Sequence, residues 1–466
     1  MIESSKTGWT TCRPPVLSVR AIKFSLSLIV ALIGGGAYYA SPGISAAPAA
    51  SRANAIRGAE LAAKLDGVLQ DVENDAEGQG FIHPGAGQQE AHLGALRFFL
   101  PFPDGNGRSC ATCHRPEDNF GLTPATVEAR YQALQARRRI NPNADDPLFR
   151  SIDADDFDQD FTTLRTKALV RVVLPLPPNV KLADDPSATT VAVWRAVPTV
   201  VNSAITAPYQ YDGRLGALED QALSALRAHS EITNDPSRKA LNQIAAFQRS
   251  LFSSKGVWKL AAALKAGDAP PDPDPPLNEL EKQGKETFTQ FCASCHGGPT
   301  RTVNADARFL PVPQRGPLPG AQAFINIFAQ TPRPPVPFFD GLPSAGLPTR
   351  TYIVTLPDGS TQTVVTSDPG RGLITGDIRE FGRFDVPTLF GISKTAPYFH
   401  DNSAATLEQV IDHYQALFKF LQFADETQGL FAPPGPDGQG CNQGDCGFSP
   451  IPEPLIKGLL AYLKKI

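Results

Sequence analysis

The chain has 466 residues, enough for two or three domains with their own cores. A net charge of −4 without a basic tract excludes a nucleic-acid surface, and 44 prolines exclude a plain bundle of helices joined by tight loops. Residues 1–46 carry Lys6, Arg13, Arg20 and Lys23 against Glu3, so the remainder holds about −7, a mildly acidic balance compatible with a basic redox partner.

Residues 1–46 have the layout of a secretory signal. A basic stretch ends at Lys23, an apolar stretch covers Phe24–Ala40, and small residues follow around Ala46. The apolar run is short and interrupted by serines and glycines, which suits cleavage near Ala46 better than a membrane anchor. The globular part is therefore expected in the periplasm, and at a membrane only if the leader stays uncleaved. Arg52–Asp75 reads as an amphipathic helix.

A Gly/Pro-rich approach, Pro101–Ser109, leads into Cys110-Ala-Thr-Cys113-His114. At this spacing two thiols can reach the two vinyl groups of a haem as thioethers, while the next residue puts an imidazole on the iron. A redox dithiol or half of a zinc site would explain one such run. The chain repeats it as Cys292-Ala-Ser-Cys295-His296, and no further C-x-x-C pair exists to complete a zinc cluster. Two covalently bound haem c groups are expected, on Cys110 and Cys113 and on Cys292 and Cys295, with His114 and His296 as metal ligands.

Between and after the motifs, Thr123-Pro124 opens a helix to about Arg139. Asp145 to Asp160 lacks the glycine and terminal glutamate of a calcium-binding loop and is expected to be solvated. Leu169–Leu174 is a strand candidate. Ala266–Pro276 is so rich in proline that it reads as a stiff linker. It divides an N-terminal haem domain, 47–265, from a C-terminal one, 277–466. Asn278 and Glu281 form a capping-box pattern. Residues 297–350 are Pro-rich loop, and Thr351–Leu356 and Ser360–Thr366 form a hairpin around Pro357-Asp-Gly359. Ser403 can cap a helix to about Gln422, and Pro454–Ile466 is a final helix. Cys441 and Cys446, in a Gly-rich loop, are expected to pair as a small disulfide.

The chain also repeats itself. Val197-Pro-Thr199 recurs as Val386-Pro-Thr388, Thr206-Ala-Pro-Tyr209 as Thr395-Ala-Pro-Tyr398, and Leu218-Glu219 as Leu407-Glu408, always at the same offset. Ile244-x-x-Phe247 recurs as Leu459-x-x-Tyr462 in each half's last helix. A fixed long offset signals a duplicated haem domain. In the later half Leu407, Val410, Ile411, Tyr414, Leu417, Phe418 and Leu421 make one apolar stripe, which turns Tyr414 inward. Its counterpart in the earlier half is Ala225, which cannot ligate iron.

The face of each haem opposite its histidine decides function. Methionine, the usual electron-transfer ligand, is excluded because the only one is Met1. His83, His92, His229, His400 and His413 remain. Tyr414 is the candidate for the second haem, with an ordinary core tyrosine as the alternative from the stripe alone; His413 is the rival, about 100° round the helix. The first haem is expected to be open to peroxide or dioxygen, with the Glu231 carboxylate available for acid–base work.

These motifs resemble the bacterial di-haem cytochrome c peroxidase family, including its MauG-like branch. The resemblance covers both haem motifs, Val197–Ile232, and Asp368-Pro-Gly-Arg371 through Tyr414. It implies that Glu231 stands on the family's catalytic glutamate. It also sets Tyr211, in Tyr211-Asp-Gly-Arg214, in place of the aromatic residue between the haems, usually tryptophan. Tyr414 falls where the peroxidases have methionine and the MauG-like branch tyrosine. There are departures. No histidine before Trp194 matches the one that caps the first haem in resting peroxidases. The calcium-ligating asparagine falls on Ala196, which leaves only the carbonyls of Thr395 and Pro397 to hold a calcium ion. Residues 121–190 are longer than in the small peroxidases.

The expectation is a mainly α fold of two cytochrome c-like haem domains related by internal duplication, with long Pro-rich loops and a small β-hairpin. The implied activity is reduction of hydrogen peroxide, with a small redox protein as electron donor. Alternatives are a MauG-like oxidase of a protein side chain, an oxygenase of an apolar substrate, and a plain electron carrier.

Overall fold

A computed structural model describes residues 88–156, 160–302, 324–428 and 449–466. The leader, the 52–75 helix, His83, and Cys441 with Cys446 lie outside the described residues. In chain order the first half contains α1 (Gln88–Phe99), α2 (Pro124–Ile140), α3 (Thr162–Lys167), β1 (Leu169–Pro175), β2 (Val180–Leu182), β3 (Thr190–Ala196), α4 (Leu218–His229), α5 (Arg238–Arg249) and α6 (Lys255–Ala266). The second contains α7 (Glu279–Phe291), α8 (Ala293–His296), β4 (Phe324–Ile325), β5 (Arg350–Thr355), β6 (Thr361–Thr366), α9 (Gly372–Thr375), β7 (Phe384–Asp385), α10 (Leu407–Gln428) and α11 (Glu453–Leu463). The fold is mainly helical, with a few small sheets. None of the described helices is long and apolar enough to cross a membrane.

Each half is built on one crossing of two helices, α1 with α5 and α7 with α11. At the first crossing a Cβ on Gly94 would stand 1.9 Å from the Gln243 carbonyl oxygen. At the second, a Cβ on Gly284 would stand 1.9 Å from that of Gly458. The backbones approach so closely that only glycine serves. Around the first crossing Phe98, Phe120, Leu226, Ile244 and Phe247 form a core, and around the second Phe288, Val410, Ile411, Leu459 and Tyr462. The duplication is thus a repeat of geometry. Tyr209 donates to the Ser203 carbonyl at 2.9 Å, and Tyr398 to that of Ile392 at 3.0 Å.

Helix starts follow local chemistry. Thr123 Oγ1 accepts the Thr126 N–H at 3.2 Å ahead of Pro124. Asn278 and Glu281 close the expected capping box, at 3.0 and 2.8 Å. The cap of α10 differs from expectation. Ser403 takes no part, because the chain first turns back for Tyr398 to pair with Ala404, and Thr406 Oγ1 caps the Gln409 N–H at 3.3 Å.

Residues 121–190 fold against the first half as a layer of their own. Leu122, Val127, Leu134, Leu148, Phe149, Phe161, Leu164 and Val170 form a separate core, on which Cys113 packs. The Asp-rich loop is only partly solvated. Asp153 is 0% exposed and pairs with buried Arg108 at 2.7 Å, and Asp146 pairs with Arg130. Buried carboxylates need such partners. β1 lies antiparallel to β3, with Leu169 opposite Ala196. The expected hairpin is present as β5 and β6, but it accepts β2 as a third strand, so the insertion and the second half share one sheet.

Candidate functional site

The first C-x-x-C-H run forms a tight turn, Cys110–Thr112, closed by the Ser109 N–H on Thr112 Oγ1 at 2.9 Å. Cys110 packs on the core around Phe98 and Phe247, Cys113 on that of the insertion. Burial pushes the Cys110 thiol up to about 12 and raises Cys113, so both stay protonated. His114 Nδ1 lies 2.9 Å from the Phe120 carbonyl oxygen. Burial pushes its imidazole down to about 4, so the ring is neutral. A neutral ring beside a carbonyl must donate from Nδ1, which leaves the Nε2 lone pair for a metal.

The second run has the same logic. Helix α7 ends at Phe291, and α8 carries Cys295 and His296. His296 is 7% exposed, its Nδ1 is 3.1 Å from the Pro387 carbonyl oxygen, and burial pushes it down to about 4. Pro387 belongs to the Val-Pro-Thr repeat. Thr388 Oγ1 ties that repeat to the Thr300 carbonyl at 2.7 Å, as Thr199 Oγ1 does to the Asn119 carbonyl at 2.5 Å. Burial pushes the Cys292 thiol up to about 12 and raises Cys295. None of the four cysteines is in a disulfide. In each half, two adjacent thiols and an imidazole with a free Nε2 suit a c-type haem.

Tyr414 is on the inner face of α10, packed against the core that also receives Cys292. Burial raises its hydroxyl pKa, and the Cys295 and Cys292 sulfurs are near enough to add to that rise. His413 is elsewhere: its Nε2 is 2.6 Å from the Ile327 carbonyl oxygen and its ring is 4.8 Å from Phe399. That bond occupies Nε2 and ties the ring to Ile327, whereas Tyr414 packs with Cys292 on the core of the second motif, so Tyr414 is the better placed of the two.

Glu231 follows α4 in a left-handed conformation, φ 50°. Its Oε2 accepts from Asn106 Nδ2 at 2.7 Å. Asn106 lies four residues before Cys110, so the carboxylate is tied to the approach of the first motif. Sequence reasoning did not single out Asn106, whose partner is 125 residues away.

Tyr211 sits where the halves meet. Its carbonyl accepts the Asp385 N–H at 2.7 Å, and its ring meets His400 edge-on, centroids 6.3 Å apart. Tyr211 and His400 are repeat partners, so equivalent positions of the two halves touch. His400 stacks on Phe384 at 3.8 Å, and burial lowers its pKa. Burial raises the Tyr211 hydroxyl pKa, with Arg195 opposing. Beside them, buried Arg195 bonds Asp212 at 2.6 Å and Asp368 at 2.7 and 2.9 Å. Ala196 brings no side-chain oxygen; its N–H donates to the His400 carbonyl at 2.7 Å.

Residues 88–263 match the family model described as di-haem cytochrome c peroxidase. A cytochrome-c peroxidase, IdrP2, of Denitromonas iodatirespirans is 25% identical over 246 residues, 48% of this chain and 61% of that protein. A cytochrome c551 peroxidase of Nitrosomonas europaea is 51% identical over 43 residues, 9% of this chain and 13% of that protein. The chain thus spans less than two thirds of either relative. Among solved structures, a MauG-like protein associated with microbial copper homeostasis aligns at TM-score 0.40 and 19% identity, over 83% of this chain and 92% of that one. The diheme peroxidase BthA of Burkholderia thailandensis aligns at TM-score 0.33 and 13% identity, over 82% and 86%.

Proposed function

We propose, from the match of residues 88–263 to the di-haem cytochrome c peroxidase model, that the chain is an oxidoreductase that reduces hydrogen peroxide in its first half, with electrons arriving through its second. The observation that carries this reading is the asymmetry of two otherwise equivalent sites. Both have a buried neutral histidine tied through Nδ1 to a backbone carbonyl. In the first half the Glu231 carboxylate is hydrogen-bonded to Asn106, four residues before Cys110, and in the second Tyr414 takes the helix position that Ala225 has in the first.

Haem c held by Cys110, Cys113 and His114, and by Cys292, Cys295 and His296, supplies the electron exchange with peroxide when bound. Glu231 takes a proton from one peroxide oxygen and returns it to the other. Two electrons from a small redox protein and two protons complete the conversion of peroxide to two waters. Ala225, at the position equivalent to Tyr414, offers no ligand to the first haem. Tyr211, against His400, joins equivalent positions of the two halves and is the candidate relay between them. The residues 1–46 pattern supports a periplasmic location. Tyr414 favours a second reading, oxidation of a protein side chain by the same oxidising equivalents, because an anionic oxygen ligand stabilises higher iron oxidation states.

The test is peroxide consumption by the haem-loaded protein, with and without a reduced small cytochrome. Glu231→Gln is expected to slow it by about 10²–10⁴-fold with both haem spectra unchanged. Unaltered turnover in Glu231→Gln overturns the acid–base role, and peroxide consumption without any cytochrome oxidation favours the second reading.

A further inference from the structure

We propose that Asn106 is the positioning residue for Glu231, and that residues 145–153 of the insertion hold Asn106 in place. This rests on the acid–base role of Glu231 proposed above.

Asn106 uses every polar group it has. Nδ2 donates to Glu231 Oε2 at 2.7 Å and to the His229 carbonyl at 3.0 Å. Oδ1 accepts the Arg108 N–H at 3.1 Å. The backbone N–H donates to the Ser230 carbonyl at 2.8 Å, and the backbone carbonyl accepts Arg150 Nε at 2.8 Å. A planar amide with two N–H groups and one oxygen is needed to do all of this at one position. The carboxylate it holds is exposed and sits on a left-handed backbone, which a non-glycine residue keeps only when its surroundings fix it. Because Asn106 engages Oε2, it restrains the carboxylate and leaves Oε1 for the proton.

The insertion clamps this loop from the other side. Arg150 is paired with Asp145 at 2.7 and 2.8 Å while it reaches Asn106. Arg108, 2% exposed, donates to the Pro147 and Leu148 carbonyls at 2.8 and 2.7 Å and pairs with Asp153. Asp153 in turn accepts the Arg171 N–H of β1 at 2.7 Å. The Asp-rich loop thus links a strand of the insertion, through two arginines, to the residue that orients Glu231. Asp145, Asp146 and Asp153 each set the position of an arginine.

The experiment is a double-mutant cycle on the haem-loaded protein. Asn106→Asp keeps the size and the acceptor for Arg108 but sets an oxygen against Glu231. It is expected to lower kcat for peroxide by about 10-fold or more with KM little changed, and to slow Glu231→Gln no further. Arg150→Met, at a partly exposed position, is expected to lower kcat a few-fold, again with no further loss in the Glu231→Gln background. The infrared carboxylate band that Glu231→Gln removes should shift in Asn106→Asp. Full turnover in both the Asn106 and Arg150 variants, or losses that simply add to that of Glu231→Gln, overturns the positioning role. If Asn106→Asp does not take up haem, Arg150→Met and its carboxylate band decide the matter alone. An undiminished Glu231→Gln enzyme overturns the acid–base role itself, and the inference with it.

Discussion

At the scale of single residues the two histidines are alike, and the difference between the sites lies in what faces them. Tyr414 is partly buried on the core that also receives Cys292, where desolvation makes a phenolate unfavourable unless a positive metal stands beside it. Tyr414→Phe is therefore expected to turn the second haem from low-spin to high-spin, read by electron paramagnetic resonance, and to open it to cyanide. Tyr414→Met should keep it low-spin and raise its reduction potential, because a thioether favours ferrous iron. An unchanged spectrum in Tyr414→Phe excludes the tyrosine as ligand. Cysteines, histidines and this tyrosine were legible in the sequence because a motif and a helical stripe are local patterns. Asn106, Arg108 and Asp153 were not, because each acts on a partner that only the fold brings near. The Asp-rich loop is solvated at Asp145, Asp155, Asp156 and Asp160, as its composition suggests, but Asp146 and Asp153 are buried against Arg130 and Arg108, partners that composition does not reveal.

At the scale of elements, helices announced themselves through caps and apolar spacing, and boundaries erred where tertiary contacts intervene. Ser403 has the chemistry of a cap, yet the Tyr398–Ala404 pairing holds it outside the helix and Thr406 serves. Strands β2 and β3 escaped notice because each is defined by its partner, β5 in one case and β1 in the other. The helix crossings make a sharper demand than any cap. A methyl on Gly94 or Gly284 would overlap a carbonyl oxygen of the opposing helix. Gly94→Ala and Gly284→Ala are each expected to destabilise by about 1–3 kcal/mol or more, as overpacking does. The loss should appear as a lower melting temperature and as reduced haem content in the affected half, measured by pyridine haemochrome. Melting unchanged in both would mean that the helices separate at no cost, contrary to the close approach.

At the scale of the whole molecule, what joins the halves is charged as well as apolar. Arg195, at the end of β3, bonds Asp212 of its own half and Asp368 of the other, and Asn202 reaches the Phe390 carbonyl at 3.1 Å. The Tyr211–His400 contact lies in this seam, so its geometry depends on the network. Burial raises the Asp368 carboxyl, but the charge and hydrogen bonds of Arg195 outweigh it and hold the pKa below the usual value. A carboxylate depressed in the folded state contributes stability above its unfolded pKa, about 3.9, and loses that contribution as pH falls through the folded value. The wild-type seam is thus expected to hold across neutral and mildly acid pH and to fail only below about pH 4. Arg195→Met leaves two buried carboxylates without their shared cation, and a loss of about 3–5 kcal/mol is expected at neutral pH. In that variant burial, the largest influence on Asp368, favours its protonated form against the Gly370 N–H and His400 alone, so the loss relative to the wild type should shrink as pH is lowered from neutrality. Adding Asp212→Asn and Asp368→Asn should restore part of the loss and flatten the pH dependence. Melting curves followed by circular dichroism from neutrality to about pH 4 read both effects. An Arg195→Met protein with wild-type stability and pH dependence would show that the seam is held by its apolar contacts, and that Arg195 contributes nothing to how Tyr211 meets His400.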